Sequence, residues 1–108
     1  MTEMNVQQIM QSIPLHFNAE KAKGVSGIVQ CAFSGEQGSD WVIKIQDKTC
    51  LVEQGKVVNP DLTIRADAED GVNLLIGKLD PMSAYMSGKI KVFGDLSLGM
   101  KLINFFDL

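Results

Sequence analysis

Apolar and polar positions along the chain change period at four places, and each change marks a change of element. Val6, Ile9, Met10 and Ile13 recur at three- and four-residue spacing, one stripe of a helix over residues 3–13. Pro14 ends it, because proline lacks the amide donor and crowds the preceding turn. Asn18 is placed to cap a short turn of helix reaching Lys23, Gly24 is a natural stop, and Phe17 is expected to fold back onto the core. From Val25 the period becomes two. Val25, Val29, Cys31 and Phe33 share one parity, and Ile28 and Ala32 the other, which predicts a strand covered at least in part on both faces. Residues 34–40 are polar and contain Gly35 and Gly38, a turn. Trp41, Ile43 and Ile45 then alternate with Val42, Lys44 and Gln46. A tight connection over residues 47–49 leads to a short strand through Cys50, Leu51 and Val52, ending at Gly55. Leu62, Ile64 and Ala66 alternate with Thr63 and Arg65 in a fourth strand. Short links between the first three strands predict an antiparallel meander.

After Ala66 the period returns to that of a helix. Asp67 is expected to cap a helix running through Ile76, with Asp70 in its first turn and Gly77 at its end. Asp80 caps a second helix with Pro81 at its first position, and this helix carries Met82, Tyr85 and Met86 before stopping near Gly88. Ile90 and Val92 alternate with Lys89, Lys91 and Phe93 in a fifth short strand. Asp95 opens the last helix. Its polar face is narrow: Ser97, Lys101 and Asn104 against Leu96, Leu98, Met100, Leu102, Ile103, Phe105 and Phe106. A surface helix needs a narrower apolar arc, so this helix lies in a groove or closes over something apolar. Residues 71–106 hold enough apolar surface to line a cavity as well as fill a core. An ordinary core built from the same residues is the alternative. Methionines at 82, 86 and 100 suit a wall that must fit variable shapes.

Composition narrows the class. A chain of 108 residues, 45% hydrophobic and 21% charged, fits one domain over residues 1–108 of a globular protein. The net charge is -3 and the lysines are dispersed, so no basic track could follow a phosphate backbone, and nucleic acid is excluded as a partner. The N-terminal MTEMNVQQ does not read as a secretory signal, and no apolar stretch reaches the roughly 20 residues that span a bilayer. The expected compartment is cytoplasmic, where Cys31 and Cys50 are thiols in preference to a disulfide.

Reactive constellations are sparse. His16 is the lone histidine, and Cys31 and Cys50 form no paired-cysteine motif, so no metal and no cofactor are expected. Cys31 shares parity with Val29 and Phe33 and reads as core. Gly77-Lys78 and Gly88-Lys89 fail as phosphate loops, since Leu79 and Ile90 stand where a hydroxyl residue is needed. Asp80 is better explained as a cap than as an acid or base. Tyr85 needs a partner for its hydroxyl if buried, which a ligand's polar group, the backbone or water could supply. Lys89, Lys91 and Lys101 either flank a cavity mouth or form a plain solvated face.

Four pieces of sequence, in order, resemble the sterol carrier protein 2 family. They are Gly38-Ser39-Asp40-Trp41-Val42-Ile43-Lys44-Ile45; Asn59-Pro60-Asp61 before Leu62 and Ile64; Gly77-Lys78-Leu79-Asp80-Pro81 followed by Ala84-Tyr85-Met86-Ser87-Gly88-Lys89; and Gly94-Asp95. The Asp47-Lys48 turn departs from the family by lacking its frequent glycine. The resemblance covers about the whole chain. It implies an α+β fold: a curved, five-stranded, mostly antiparallel sheet with helices on one face around an apolar tunnel for fatty acids, acyl-CoA, sterols or phospholipids. The chain looks like the free-standing bacterial form, and its Phe106-Asp107-Leu108 end lacks the peroxisomal serine-lysine-leucine address.

Met82, Tyr85 and Met86 fall on one helix face, and Met100 and Ile103 oppose the polar face of the last helix, so these residues are expected in the wall. Phe33, Ile45, Leu75, Phe93 and Phe106 complete the expected lipid-binding set. The expected function is non-catalytic binding and transfer of an apolar lipid. The alternative is an accessory protein that presents a lipid or isoprenoid-quinone intermediate to a partner enzyme, or that holds a partner's apolar helix. Either role involves transient membrane-surface contact or a partner enzyme, with the protein a monomer or weak dimer.

Overall fold

A computed structural model of the chain describes residues 5–106. Helix α1 (Val6–Ser12) starts from Asn5, whose side chain accepts from the Gln8 amide at 2.9 Å, and runs into a 3-10 turn, Ile13–His16. The expected start at Glu3 lies outside the described residues. Residues 18–24 form hydrogen-bonded turns instead of a helix. Asn18 still does the capping work, accepting from the Lys21 amide at 3.1 Å.

The sheet contains β1 (Gly27–Ser34), β2 (Asp40–Gln46), β3 (Thr49–Gln54), β4 (Leu62–Asp67) and β5 (Ile90–Gly94) in the order β3-β2-β1-β4-β5. β1–β2, β2–β3 and β4–β5 are antiparallel; β1–β4 is parallel. The meander and the mostly antiparallel sheet are as expected. The strand expected from Val25 begins at Gly27, because Val25 still closes the preceding turn by donating to the Ala22 carbonyl. Asp47 and Lys48 both adopt positive φ, 50° and 63°, so the β2–β3 hairpin has the backbone of a primed turn without a glycine.

Register assigns each strand residue to a face. Val29 pairs with Ile43 and Leu62, and Cys31 with Trp41 and Ile64, so these residues share the helix-covered face with Ile45, Ala66, Ile90 and Val92. The opposite face carries Gln30, Val42, Lys44, Thr63, Arg65, Lys91 and Phe93. Its centre is closed by the chain after β3: the Gln30 amide donates to the carbonyls of Trp41 and Gly55 and accepts from the Val57 amide. That is the covering on both sides which the pattern of β1 predicts.

Three helices complete the covered face: α2 (Ala68–Leu75), α3 (Pro81–Ser87) and α4 (Leu96–Leu102). Each is capped by the aspartate expected. Asp67 accepts from Glu69, Asp80 from Ser83 and Asp95 from Leu98. Gly88 ends α3 in the left-handed conformation. The last helix is shorter than its apolar run suggests. It tightens into a 3-10 turn over Ile103–Phe105, and Phe106 forms an isolated bridge with Phe17. The Asn18 amide donates to the Phe105 carbonyl at 2.6 Å, and the Phe17 ring sits 6.4 Å from that of Phe105 and 5.9 Å from that of Phe106. Bringing both terminal aromatics onto Phe17 requires the chain to leave the helix.

Two of the motifs meet. Asp61 exchanges backbone and side-chain bonds with Ile28 and its carbonyl accepts from the Asp95 amide at 2.8 Å. A side chain at Gly94 (φ 105°) would stand 2.5 Å from that carbonyl. Asn59-Pro60-Asp61 and Gly94-Asp95 thus tie the ends of β1, β4 and β5 beneath the start of α4. Among the described residues no helix is long and apolar enough to cross a membrane.

Candidate functional site: an apolar cavity between α3, α4 and the sheet

A cavity of about 310 Å³ lies where α3 and α4 cover β4 and β5. Its floor is Leu62 and Ile64 of β4 and Ile90 and Val92 of β5, with Leu74 of α2 behind. Pro81, Met82 and Tyr85 form one wall; Leu96, Gly99, Met100 and Ile103 form the other. Leu62, Ile64, Ile90 and Leu74 are buried and Val92 is partly buried, whereas Met82, Tyr85, Leu96 and Met100 are each about half exposed and form the open rim. The geometry follows from local rules. Residues at two-residue spacing in β4 and β5 share a face, and residues three or four apart in α3 and α4 share a side.

Among the described residues no charged side chain lines this cavity, and the Tyr85 hydroxyl is the one side-chain hydrogen-bonding group in it. The space suits an apolar guest and is at the lower end of small-molecule sites. A second, more open concavity of about 500 Å³ is larger but different in kind. It is lined by Arg65, Lys89 and Lys91 together with Asp40, Asp67 and Ser34. Mixed charge and water access make it a poor place for an apolar ligand.

Of the ten residues in the expected lipid-binding set, Met82, Tyr85, Met100 and Ile103 meet in the cavity. The other six do not line it. Met86 is 78% exposed and lies past the rim, one turn along α3 from Met82. Phe93 pairs with Thr63 and so projects from the opposite face of the sheet, 51% exposed. The Phe33 ring packs against Gly71 of α2. Ile45 lies opposite Gly27, on the β2 side of the sheet, and Leu75 is wholly buried in the core. Phe106 is taken up by Phe17. Sequence reasoning missed the floor: Leu62, Ile64, Ile90 and Val92. Their alternation was legible, but the pairing of β4 with β5 beneath α3 and α4 was not. Lys91 also projects away from the cavity, by the same alternation that turns Ile90 and Val92 into it.

The remaining candidates have structural roles. Cys31 is fully buried, and desolvation pushes its thiol up to about 12; the half-buried Cys50 thiol is likewise raised to about 12. Asp80 is held below the usual carboxylate range by the hydrogen bond from the Ser83 amide, the signature of a cap. Among the described residues no three His, Cys, Asp or Glu side chains cluster to hold a metal.

The model of the SCP-2 sterol transfer family matches residues 6–107. The chain belongs to that family. Hydroxysteroid dehydrogenase-like protein 2 of Xenopus laevis is 32% identical over 98 residues, which are 90% of this chain and 24% of the relative. The chain therefore spans about a quarter of such relatives. Palmitated SCP2L2 of Aedes aegypti, solved in solution, superposes with a TM-score of 0.72 at 28% identity, covering 94% of this chain and 93% of that one. The UbiJ-SCP2 ubiquinone synthesis protein gives a TM-score of 0.73 at 13% identity over 93% and 90%, a likeness of fold alone.

Proposed function

We propose that the chain binds an apolar lipid in the cavity between α3, α4 and the β4–β5 floor, and carries it without altering it. The observation that supports this most directly is the lining: twelve residues with a single hydrogen-bonding side-chain group among them, in a member of the SCP-2 family. Apolar burial is worth about 0.8 kcal/mol per methylene, so an alkyl chain gains from each carbon it inserts. Two of the candidates for acid–base or nucleophilic chemistry are otherwise employed, Cys31 in the core and Asp80 as a cap. The palmitated Aedes aegypti neighbour supports an acyl chain as one occupant of this fold.

The half-exposed apolar rim favours a second reading, in which the lipid is presented to a partner enzyme or exchanged at a membrane surface. Met82, Leu96 and Met100 stay in contact with water unless something covers them. The UbiJ-SCP2 neighbour, named for ubiquinone synthesis, is consistent with presentation of a quinone-like lipid.

Native mass spectrometry and solvent extraction of purified protein test the proposal. A stoichiometric lipid on the monomer is the expected result. Protein that extracts clean and takes up no alkyl ligand on titration would overturn it. A stable complex with one protein partner, lipid-free, would favour a partner's helix as the occupant.

A further inference from the structure

We infer that the outer face of the sheet, behind the cavity floor, carries a second site: a phosphate monoester group bound between Arg65 and Lys91, with Lys89 beside them. This site stands apart from the apolar cavity and does not depend on what fills it. Three observations lead to it.

The first is an unfavourable pair. Arg65 and Lys91 lie directly opposite each other across the antiparallel β4–β5 ladder, and both border the open concavity on the face away from the helices. Directly opposed side chains have Cβ atoms about 5 Å apart, and like charges so placed destabilise a sheet. An anion seated between them reverses the sign of that interaction.

The second is the lack of a carboxylate in that role. Elsewhere on this side of the sheet the cations are matched. Lys44 reaches Glu53 at 3.8 Å, and Lys56, from the segment after β3, reaches Asp40 at 3.6 Å. Among the described residues no carboxylate pairs with Arg65, Lys89 or Lys91. The two aspartates that border the concavity are engaged, Asp40 by Lys56 and Asp67 as the cap of α2, where it accepts from the Glu69 amide at 3.1 Å.

The third is convergence. β4 supplies Arg65, β5 supplies Lys91, and Lys89 stands one residue before β5, so three cations meet at one concavity. A guanidinium offers two parallel N–H groups to two oxygens of one phosphate, and the ammonium groups add charge without a fixed direction. A phosphate monoester has three free oxygens and a charge near -2. It matches three cations better than a carboxylate, which has two oxygens and a single charge. Such a group occurs on soluble phosphate esters and on the head of phosphatidic acid.

The test is titration of the isotope-labelled whole protein with inorganic phosphate, and in parallel with acetate, at an ionic strength held constant with sodium chloride. Backbone amide shifts are the readout. Phosphate is expected to give saturable shifts centred on residues 65 and 89–91, and acetate to give none that saturate. Arg65→Gln and Lys91→Gln are each expected to weaken phosphate about fivefold, the effect of removing one exposed ion pair. Lys44→Gln, on the same face, should leave it unchanged. In phosphate-free buffer Lys91→Gln is expected to resist urea at least as well as the parent, because it relieves the repulsion from Arg65. Shifts that grow linearly, that acetate reproduces, or that survive both substitutions in folded protein overturn the site. A clear loss of stability in phosphate-free Lys91→Gln would show that Lys91 already has a protein partner, and overturns it as well. Glycerol 3-phosphate and vesicles of phosphatidylcholine containing about a fifth phosphatidic acid then separate the two sources. Arg65-dependent sedimentation with these vesicles, absent for phosphatidylcholine alone, assigns a lipid head group. Binding of glycerol 3-phosphate without sedimentation assigns a soluble ester. Protein that binds neither holds no phosphate ester, and the inference falls. The lipid-binding reading of the apolar cavity stands or fails separately in every case.

Discussion

Helices α2 and α4 are of similar length and comparable apolar content, and both lie on the same face of one sheet, yet only one half of the molecule is filled. On α2, Ala68, Gly71, Val72, Leu74 and Leu75 are buried, and α1 packs against it as a second layer. On α4, Leu98 and Leu102 are buried while Leu96 and Met100 remain about half exposed over the cavity. The difference lies in what covers each helix. Apolar pattern alone states how much surface a helix would remove from water; a neighbouring element decides whether that happens.

Single truncations should report the contrast most strongly. Leu75→Ala removes buried methylenes from the filled half, where little can collapse into the space, and is expected to cost about 2–5 kcal/mol. Met100→Ala, on the open half at 57% exposure, is expected to stay within about 0.5 kcal/mol. Urea unfolding of the two variants measures both. Equal losses would mean that the cavity half is as tightly packed as the other.

The same substitution in the two helices should have opposite sign. A Cβ at Gly71 would stand 2.2 Å from the Phe33 ring, which is itself buried; a Cβ at Gly99 would stand 3.3 Å from the end of the Leu62 side chain, beside open space. Gly71→Ala therefore overpacks a filled region and is expected to cost about 1–3 kcal/mol, more than the gain in helix propensity returns. Gly99→Ala keeps that gain, up to about 1 kcal/mol, since Leu62 can shift into the cavity. Thermal denaturation of the pair decides it, and destabilisation by Gly99→Ala would count against a mobile floor.

Water exclusion in the filled half also sets a pH dependence. Burial raises the Cys31 thiol to about 12, so in alkali the unfolded chain ionises first. The stability Cys31 contributes is complete below about pH 9 and falls as pH rises towards 12, by at most about 1.4 kcal/mol per unit. Cys50, raised for the same reason but half-buried, contributes less. Urea unfolding at pH 8 and pH 10 should show a shallower decline for Cys31→Ala than for the parent. Equal declines would mean that water reaches Cys31.

Much of this architecture was legible in the sequence, because it rests on local rules. The meander follows from period-two runs joined by short polar links. The three aspartate caps follow from where Asp67, Asp80 and Asp95 stand before their apolar runs. Which side of the sheet or helix faces the cavity was not legible. Leu74 and Leu75 are neighbours in sequence, and only the position of α3 and α4 makes the first a cavity residue and the second plain core. Phe93 misled for a related reason. It is as apolar as Val92, but the Thr63 pairing turns it outward. Phe105 and Phe106 read as a continuing helix because nothing local announces that Phe17, far back along the chain, takes them.

The smallest effect on stability should accompany the clearest effect on binding. Met100 lines the cavity from α4, yet more than half of its surface already meets water. Replacement by tryptophan keeps the position apolar and does not strip a buried site of contacts. The fold should therefore hold within about 0.5 kcal/mol. The indole is bulkier and stiffer than the thioether it replaces, and the cavity that Met100 lines is the open space beside it. Occupying that space displaces tail methylenes, each worth about 0.8 kcal/mol, so losing two of them weakens binding about tenfold. Met86→Trp, on α3 but past the rim and outside the cavity lining, is the control and should leave affinity unchanged. Titrating decan-1-ol into parent and both variants, with circular dichroism to verify folding, separates the cases. Unaltered affinity in a folded Met100→Trp protein would remove Met100 from the wall and leave the open half of the molecule without its proposed occupant. A fall in both variants would point instead to a general response of the rim.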